Sequence, residues 1–261
     1  MCVQINNGLA ENGLNWLIKQ RQSPIVQISP LAGLTACSQL IELANGERYI
    51  WRKQSDRASN YGINYQAEAM LLQELAPLGF TPKVVYSDAQ GSLLNWIEGA
   101  VPSAFSNELL EKLARYLARL HHFDWQAVKN SQNFAILNLA ERCTFLWEKL
   151  PDTKQKQLSS LRPFRQITPL AQAVCHHDLH LGNLLLQDNS LFIIDWEYAA
   201  LSDPALDIAL FFESSQLTSQ QKMHFFTHYF AKNSVNLTAY AAKIKEYQPE
   251  IKKLNQLWFA L

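Results

Sequence analysis

Short apolar runs separated by turn residues fill the first hundred positions. SPIVQISPLAG, CSQLIELANGERYIWRK and PKVVYSDAQGSLLNWIEG read as short strands, each bounded by Gly, Pro, Asn, Asp or Ser. Asn45 and Gly46 between two apolar runs predict a tight hairpin, because both residues tolerate the positive φ such a turn requires. Ala89-Gln90-Gly91 marks a second hairpin. Between the two, YGINYQAEAMLLQELAPLG spaces its apolar residues at helical intervals and then meets Pro77 and Gly79, which stop a helix.

After Gly99 the period lengthens. SNELLEKLARYLARLHH puts Leu109, Leu110, Leu113, Leu117 and Leu120 on one helical face, with Ser106 or Asn107 to cap its start. His121 and His122 close that helix as capping or packing residues, near the negative end of its dipole. Further helices are predicted over 136–150, 218–231 and 238–258. The order implies an α+β, bilobal fold. A small N-terminal antiparallel β lobe with one main helix occupies 1–98, and a larger, mostly helical lobe occupies 99–261. A cleft between such lobes is the expected place for a small ligand.

Composition narrows the function more than the fold. Apolar residues at 48% are enough for a packed core, while 23 basic and 23 acidic residues leave no net charge to attract nucleic acid or an anionic membrane. No stretch reaches the roughly 20 apolar residues of a spanning helix. MCVQINNGLAENGLNWLIKQ lacks the basic start and apolar run of a secretion signal. Cys2, Cys37, Cys143 and Cys175 are scattered without paired spacing, which suits a reducing compartment. A cytoplasmic protein is expected, with no nucleic-acid or membrane partner and no sequence sign of its oligomeric state.

The chemistry is concentrated in CHHDLHLGNLLL, residues 175–186, and in IDWEYAALSDPALDIA, which starts at Ile194. Phosphoryl transfer needs a carboxylate to orient the attacking hydroxyl, oxygen ligands for Mg²⁺, and a basic residue on the nonreacting phosphates. Asp178 stands five positions before Asn183, and Asp195 follows the apolar strand LFII. The His-x-Asp-x-x-x-x-Asn spacing is that of the protein-kinase catalytic loop, and an aspartate at the end of a buried strand makes the match more specific.

HHDLHLGNLLL together with FIIDWEYAALSDPALDIALFFE resembles the aminoglycoside phosphotransferase and choline kinase family, which includes bacterial thiamine kinases. The resemblance covers roughly residues 25 to 230. It implies a protein-kinase-like fold and ATP- and Mg²⁺-dependent phosphorylation of a small alcohol. By position, it implies Asp178 as the catalytic aspartate, His176 as a brace of its loop, and Asn183 and Asp195 as metal ligands. Gly33, Leu34 and Thr35 match the phosphate-covering loop, and Arg52 in RYIWRK takes the place of the phosphate-gripping base. Glu68 matches the helix glutamate that pairs with that base, and Trp96 and Ile97 lie in the hinge whose backbone holds adenine. Asp207 matches a residue that supports the catalytic loop from the following helix. Trp196, Glu197 and Glu213 are candidates for substrate contact or loop support.

The chain departs from the family pattern at His177, in having a single glycine in the phosphate loop, and in ending at LNQLWFAL, which bears on the substrate pocket. Lys53 beside Arg52 is a second candidate for the phosphate contact, although alternate strand residues face opposite ways. Thiamine is the preferred acceptor, on the likeness of GLTACSQLIEL and IDWEYA to compact bacterial thiamine kinases, with choline or ethanolamine the alternative and an aminoglycoside a third. Trp51, Trp96, Trp196 and Trp258 are open between core packing and an aromatic cage for a cation. Two competing readings remain for 175–180: a zinc site of Cys175, His176, His177 and His180, and a purely structural turn. A catalytically silent nucleotide-binding module is the alternative at the level of the whole chain.

Overall fold

A computed structural model describes residues 12–31, 38–128, 134–231 and 237–261. The chain divides into two compact units: residues through Pro77 together with Thr81–Glu98, and Leu78–Phe80 together with Gly99–Leu261.

The first unit is built on a five-stranded antiparallel sheet in the order β1-β2-β3-β5-β4. Its strands are β1 (Ile25–Pro30), β2 (Ser38–Leu43), β3 (Arg48–Lys53), β4 (Val84–Asp88) and β5 (Gly91–Asn95). Both expected hairpins form, and Gly46 in the first turn takes φ 86°. Three helices accompany the sheet: α1 (Asn12–Arg21), α2 (Asp56–Asn60) and α3 (Tyr65–Leu75). Helix α3 starts at Asn64, whose side chain accepts from the amides of Gln66 and Ala67.

Pattern reading did not assign α1. It packs Leu14 and Leu17 with Ile41, Tyr49, Trp51 and Leu93. A Cβ at Gly13 would stand 2.5 Å from the Trp51 ring, so a residue without one allows the helix to approach. Alternation along β3 then sorts its side chains: Tyr49 and Trp51 enter this core, while Arg52 turns to the other face.

The second unit is mostly helical. It contains α4 (Asn107–His121), α5 (Leu139–Lys149), α6 (Asp152–Gln157), α7 (Pro204–Ser215), α8 (Ser219–Tyr229) and α9 (Leu237–Trp258). Helix α4 buries the apolar face read from its sequence, and the Ser106 hydroxyl caps it by accepting the Leu109 amide. Two small antiparallel ribbons interrupt the helices. Strands β6 (Ala173–Cys175) and β9 (Ala200–Ser202) form one, and β7 (Leu184–Gln187) and β8 (Ser190–Ile193) form the other. The candidate chemistry lies at the exits of β6 and β8. Among the described residues, no helix is long and apolar enough to cross a membrane.

Candidate functional site

In the second unit, β6 delivers the chain to His176, His177 and Asp178, and a single 3-10 turn over Leu181–Asn183 carries it into β7. His180 opens that turn by accepting the Gly182 amide on Nδ1. The turn brings Asn183 back to the aspartate: its Nδ2 donates to the Asp178 carbonyl at 2.8 Å and to Oδ2 of the Asp178 carboxylate at 3.0 Å. The Asn183 carbonyl accepts the Ile194 amide at 3.0 Å, which seats the end of β8, and with it Asp195, beside the same turn. Asn183 is thus hydrogen-bonded to Asp178 directly and, through its backbone, to Ile194, the residue before Asp195.

Two non-glycine residues here hold left-handed backbone, His177 at φ 66° and Asp195 at φ 64°. Such conformations cost about 1–3 kcal/mol and persist only where the surroundings enforce them. The enforcement is visible at His177. Asp207, on α7, accepts the His176 amide at 3.0 Å and the His177 amide at 2.7 Å, and His177 Nδ1 donates to the Tyr198 carbonyl.

His176 braces the loop through its ring. Nε2 meets the Ile194 carbonyl at 3.0 Å and Nδ1 meets the Asp178 amide at 3.2 Å. One nitrogen therefore donates and the other accepts, which is possible only for the neutral imidazole. Burial independently lowers the pKa of both His176 and His177, against the raising influence of Asp207. His176 also stands edge-on to Trp196, with ring centroids 4.7 Å apart.

Burial raises the Asp178 carboxyl above its ordinary value. His176 and His180 oppose the rise, Asp195 adds to it, and the Asn183 hydrogen bond opposes it. His180 Nε2 lies 3.8 Å from Asp178 Oδ2. Burial would also raise Asp207, but the hydrogen bond and charge of His121, followed by His177 and His176, hold it well below the usual carboxylate range.

Of the two roles expected for it, His121 takes packing rather than capping: it is buried, with Nε2 on Asp207 at 3.0 Å and Nδ1 on the Tyr229 hydroxyl at 2.7 Å. His122 does cap, through Nδ1 on the Ala118 carbonyl. The zinc reading of Cys175, His176, His177 and His180 fails on geometry. Both His176 nitrogens are engaged, the Cys175 thiol faces the Ala173 and Ser202 carbonyls, and His180 Nδ1 accepts a backbone amide.

The aromatic cage loses two members. Trp51 and Trp196 are 0% and 1% exposed and leave no ring face for a ligand, and Trp196 Nε1 donates to the Ile193 carbonyl. Trp258 stacks edge-on against Phe259, and its Nε1 reaches the Tyr198 hydroxyl. Glu197 is buried and acts electrostatically on Arg142, whereas Glu213 is half-buried on α7. Ser214, next to it, donates to the Leu179 carbonyl, so α7 supports the loop at a second point.

The first unit holds the remaining candidates. Arg52 is 6% exposed and its Nε lies 3.0 Å from Glu68 Oε2 on α3, with the guanidinium 4.6 Å from the centre of the Tyr65 ring. Lys53 faces solvent. The Trp96 amide donates to the Arg48 carbonyl, and the Arg48 guanidinium sits over the Trp96 ring. Ile97 follows beyond the last rung of the sheet. Gly33, Leu34 and Thr35 lie outside the described residues.

The donors at 178, 183 and 195 are all hard oxygens from carboxylates and an amide, the set that Mg²⁺ prefers. Since Asn183 gives its Nδ2 to Asp178, its carbonyl oxygen keeps lone pairs for a cation. The residues fit the metal.

Residues 38–244 match the phosphotransferase enzyme family. A protein LicA homolog of Metamycoplasma hominis is 28% identical over 174 residues, 64% of this chain and 67% of that protein. A thiamine kinase of Shigella boydii is 26% identical over 238 residues, 87% of this chain and 80% of that protein. Among solved structures, choline kinase LicA from Streptococcus pneumoniae superposes with a TM-score of 0.71 at 22% identity, over 97% of this chain and 90% of that one. With the family match spanning both the Arg52–Glu68 pair and the Asp178 loop, the chain belongs to the phosphotransferase enzyme family and is an enzyme of the small-molecule kinase type.

Proposed function

We propose that this protein transfers the γ-phosphoryl group of ATP to the hydroxyl of a small cationic alcohol, with thiamine the preferred acceptor and choline or ethanolamine the alternative. The observation that carries the reading is the hydrogen bond from Asn183 Nδ2 to the Asp178 carboxylate, made beside Asp195. It fixes a carboxylate that can accept a proton next to two hard-oxygen ligands.

Asp178 accepts a hydrogen bond from the substrate hydroxyl, aligns that oxygen with the phosphorus and takes its proton late, because the transition state is largely dissociative. Its position is set by Asn183 and by His176, which holds the Asp178 amide. Positioning rather than a strong base does most of the work. Asn183 and Asp195 would hold Mg²⁺, which when bound would supply charge neutralisation on the transferring phosphate. The first unit is the nucleotide-binding lobe: Arg52, paired with Glu68 at 3.0 Å, contacts the nonreacting phosphates. Gly33 and Thr35, outside the described residues, are the proposed phosphate-covering positions, and the backbone at Trp96 and Ile97 meets adenine. The second unit is the catalytic and substrate-binding lobe, with Glu213 offering negative charge to a cationic acceptor. The protein acts in the cytoplasm.

Thiamine ranks first because the thiamine kinase match runs over 87% of this chain, against 64% for the LicA homolog. Thiamine carries its hydroxyethyl arm on a carbon of a thiazolium ring, and choline and ethanolamine carry theirs on an ammonium nitrogen, so all present a primary hydroxyl close to a positive charge and suit one mechanism. The test is phosphate transfer from ATP to thiamine, choline, ethanolamine and an aminoglycoside, with Asp178→Ala as control. Thiamine phosphate formed at the highest kcat/KM, and reduced about 10²–10⁴-fold by the substitution, is the expected result. A choline preference would overturn the substrate assignment alone. ATP binding without transfer to any acceptor would leave the silent module as the reading.

A further inference from the structure

Away from the phosphoryl-transfer loop, three side chains on α4 and α8 meet in a group that the proposed reaction does not use. Glu111 projects from α4, and His224 and His228 project from α8 four residues apart, so the two imidazoles share one helical face. One ligand atom from each of the three lies within 4.8 Å of the others, and all three residues are half-buried. We propose that Glu111, His224 and His228 form a binding site for a divalent transition metal such as Zn²⁺, which ties α4 to α8.

The spacing carries the argument. His228 Nε2 stands 3.5 Å from Glu111 Oε2. That is long for a charge-assisted hydrogen bond, which closes to about 2.7–2.9 Å. It is close to the separation of two ligands sharing a tetrahedral zinc: bonds of about 2.0–2.1 Å at the tetrahedral angle put N and O about 3.3 Å apart. The two imidazole rings are themselves 4.7 Å apart between centroids.

The surroundings already do what outer partners of a metal site do. His224 Nε2 donates to the Asn107 carbonyl at 3.0 Å, which fixes the tautomer and leaves its other nitrogen with a lone pair. Arg115 takes Oε1 of Glu111 at 2.6 Å, orienting the carboxylate while Oε2 stays with the histidines. Two imidazoles and one carboxylate select zinc, cobalt or nickel over Mg²⁺, which takes oxygen ligands and water. With three protein ligands, water completes the coordination.

The full chain, freed of any affinity tag, is titrated with Co²⁺ in the presence of excess Mg²⁺. One equivalent is expected to bind with the visible absorption of tetrahedral cobalt, and Zn²⁺ should displace it. Because the ligands converge only in the folded chain, added Zn²⁺ should raise Tm in a concentration-dependent way. His228→Gln and Glu111→Gln should each weaken cobalt binding at least tenfold, with far-UV circular dichroism unchanged, while His180→Gln leaves it intact. Absence of stoichiometric binding, equal affinity in His228→Gln, or loss of binding in His180→Gln would each overturn the site.

Discussion

Asp207 accepts the backbone N–H of His177 at 2.7 Å, reaching from α7 to a residue thirty positions earlier. Its other oxygen takes the His176 amide and the His121 ring. One carboxylate thus satisfies two successive buried amides and holds the left-handed turn that aims Asp178. Removing it leaves those donors without acceptors in a dry interior, where each costs about 1–3 kcal/mol. Asp207→Ala should lower unfolding free energy by about 3–5 kcal/mol, as for a broken buried pair, and lower kcat along with it. Urea unfolding and steady-state assays on the same samples read both. A variant as stable as the parent would remove Asp207 from this role.

The pH dependence of that contribution has a definite sign. The folded pKa of Asp207 lies below its ordinary 3.8, so the charged form is favoured in the folded chain. Its stabilisation is complete above about pH 4 and fades as pH falls from the unfolded pKa toward the folded one. The stability gap between parent and Asp207→Asn should therefore be constant from pH 8 to 5 and narrow only below about 4. A gap that shrinks near neutrality would assign the pH effect to another group.

His176 and His177 act at higher pH and in the opposite ionisation sense. Burial lowers their pKa below 6.5, so both are neutral in the folded chain when the unfolded chain begins to take up protons. Below about pH 6.5 the unfolded state binds more protons, and stability contributed by these two groups falls with acidification. The titration midpoints of the His176 and His177 ring C–H resonances, followed by NMR, should lie below the 6.5 of an unperturbed histidine. Ordinary titration of either ring at that pH would contradict the hydrogen-bond pattern.

Local chemistry explains what could be seen in the sequence, and distance explains what could not. The hairpin at Gly46, the Asn64 and Ser106 caps and the apolar face of α4 each depend on residues within a few positions of one another. The Asp178, Asn183 and Asp195 spacing was legible for the same reason, since a short turn and one hairpin connect them. Helix α1 was not, because its seat depends on Gly13 fitting against Trp51 from another element. For His121 capping and packing could not be told apart, because its partner, Asp207, is 86 residues away. His180 gave no separate signal from its neighbours, although its Nε2 lies 3.8 Å from the Asp178 carboxylate.

The two described cysteines should be inert. Burial pushes the Cys143 thiol up to about 12, and Cys175, fully enclosed, is also raised by burial. At pH 8 only about one part in ten thousand of Cys143 would be thiolate, the species that reacts. Iodoacetamide at pH 8 should leave both unlabelled in the folded protein and modify both in denaturant, as read by peptide mass spectrometry. Rapid labelling of Cys143 without unfolding would show that its environment opens.

The Arg52–Glu68 pair separates stability from function. Both side chains are nearly enclosed, and they meet at 3.0 Å. Arg52→Ala leaves a buried carboxylate without this cation and should cost about 3–5 kcal/mol, while raising KM for ATP through loss of the proposed phosphate contact. Arg52→Lys keeps the charge but not the planar fork, so its effects should be intermediate on both readouts. The decisive variant replaces the pair together, as Arg52→Met with Glu68→Leu. A buried ion pair can often be exchanged for apolar residues of similar volume without loss of stability. The double variant should therefore unfold close to the parent's urea midpoint yet retain the ATP defect of Arg52→Ala. Recovery of ATP affinity along with stability would mean that Arg52 serves the fold alone, and that a different cation contacts the phosphates.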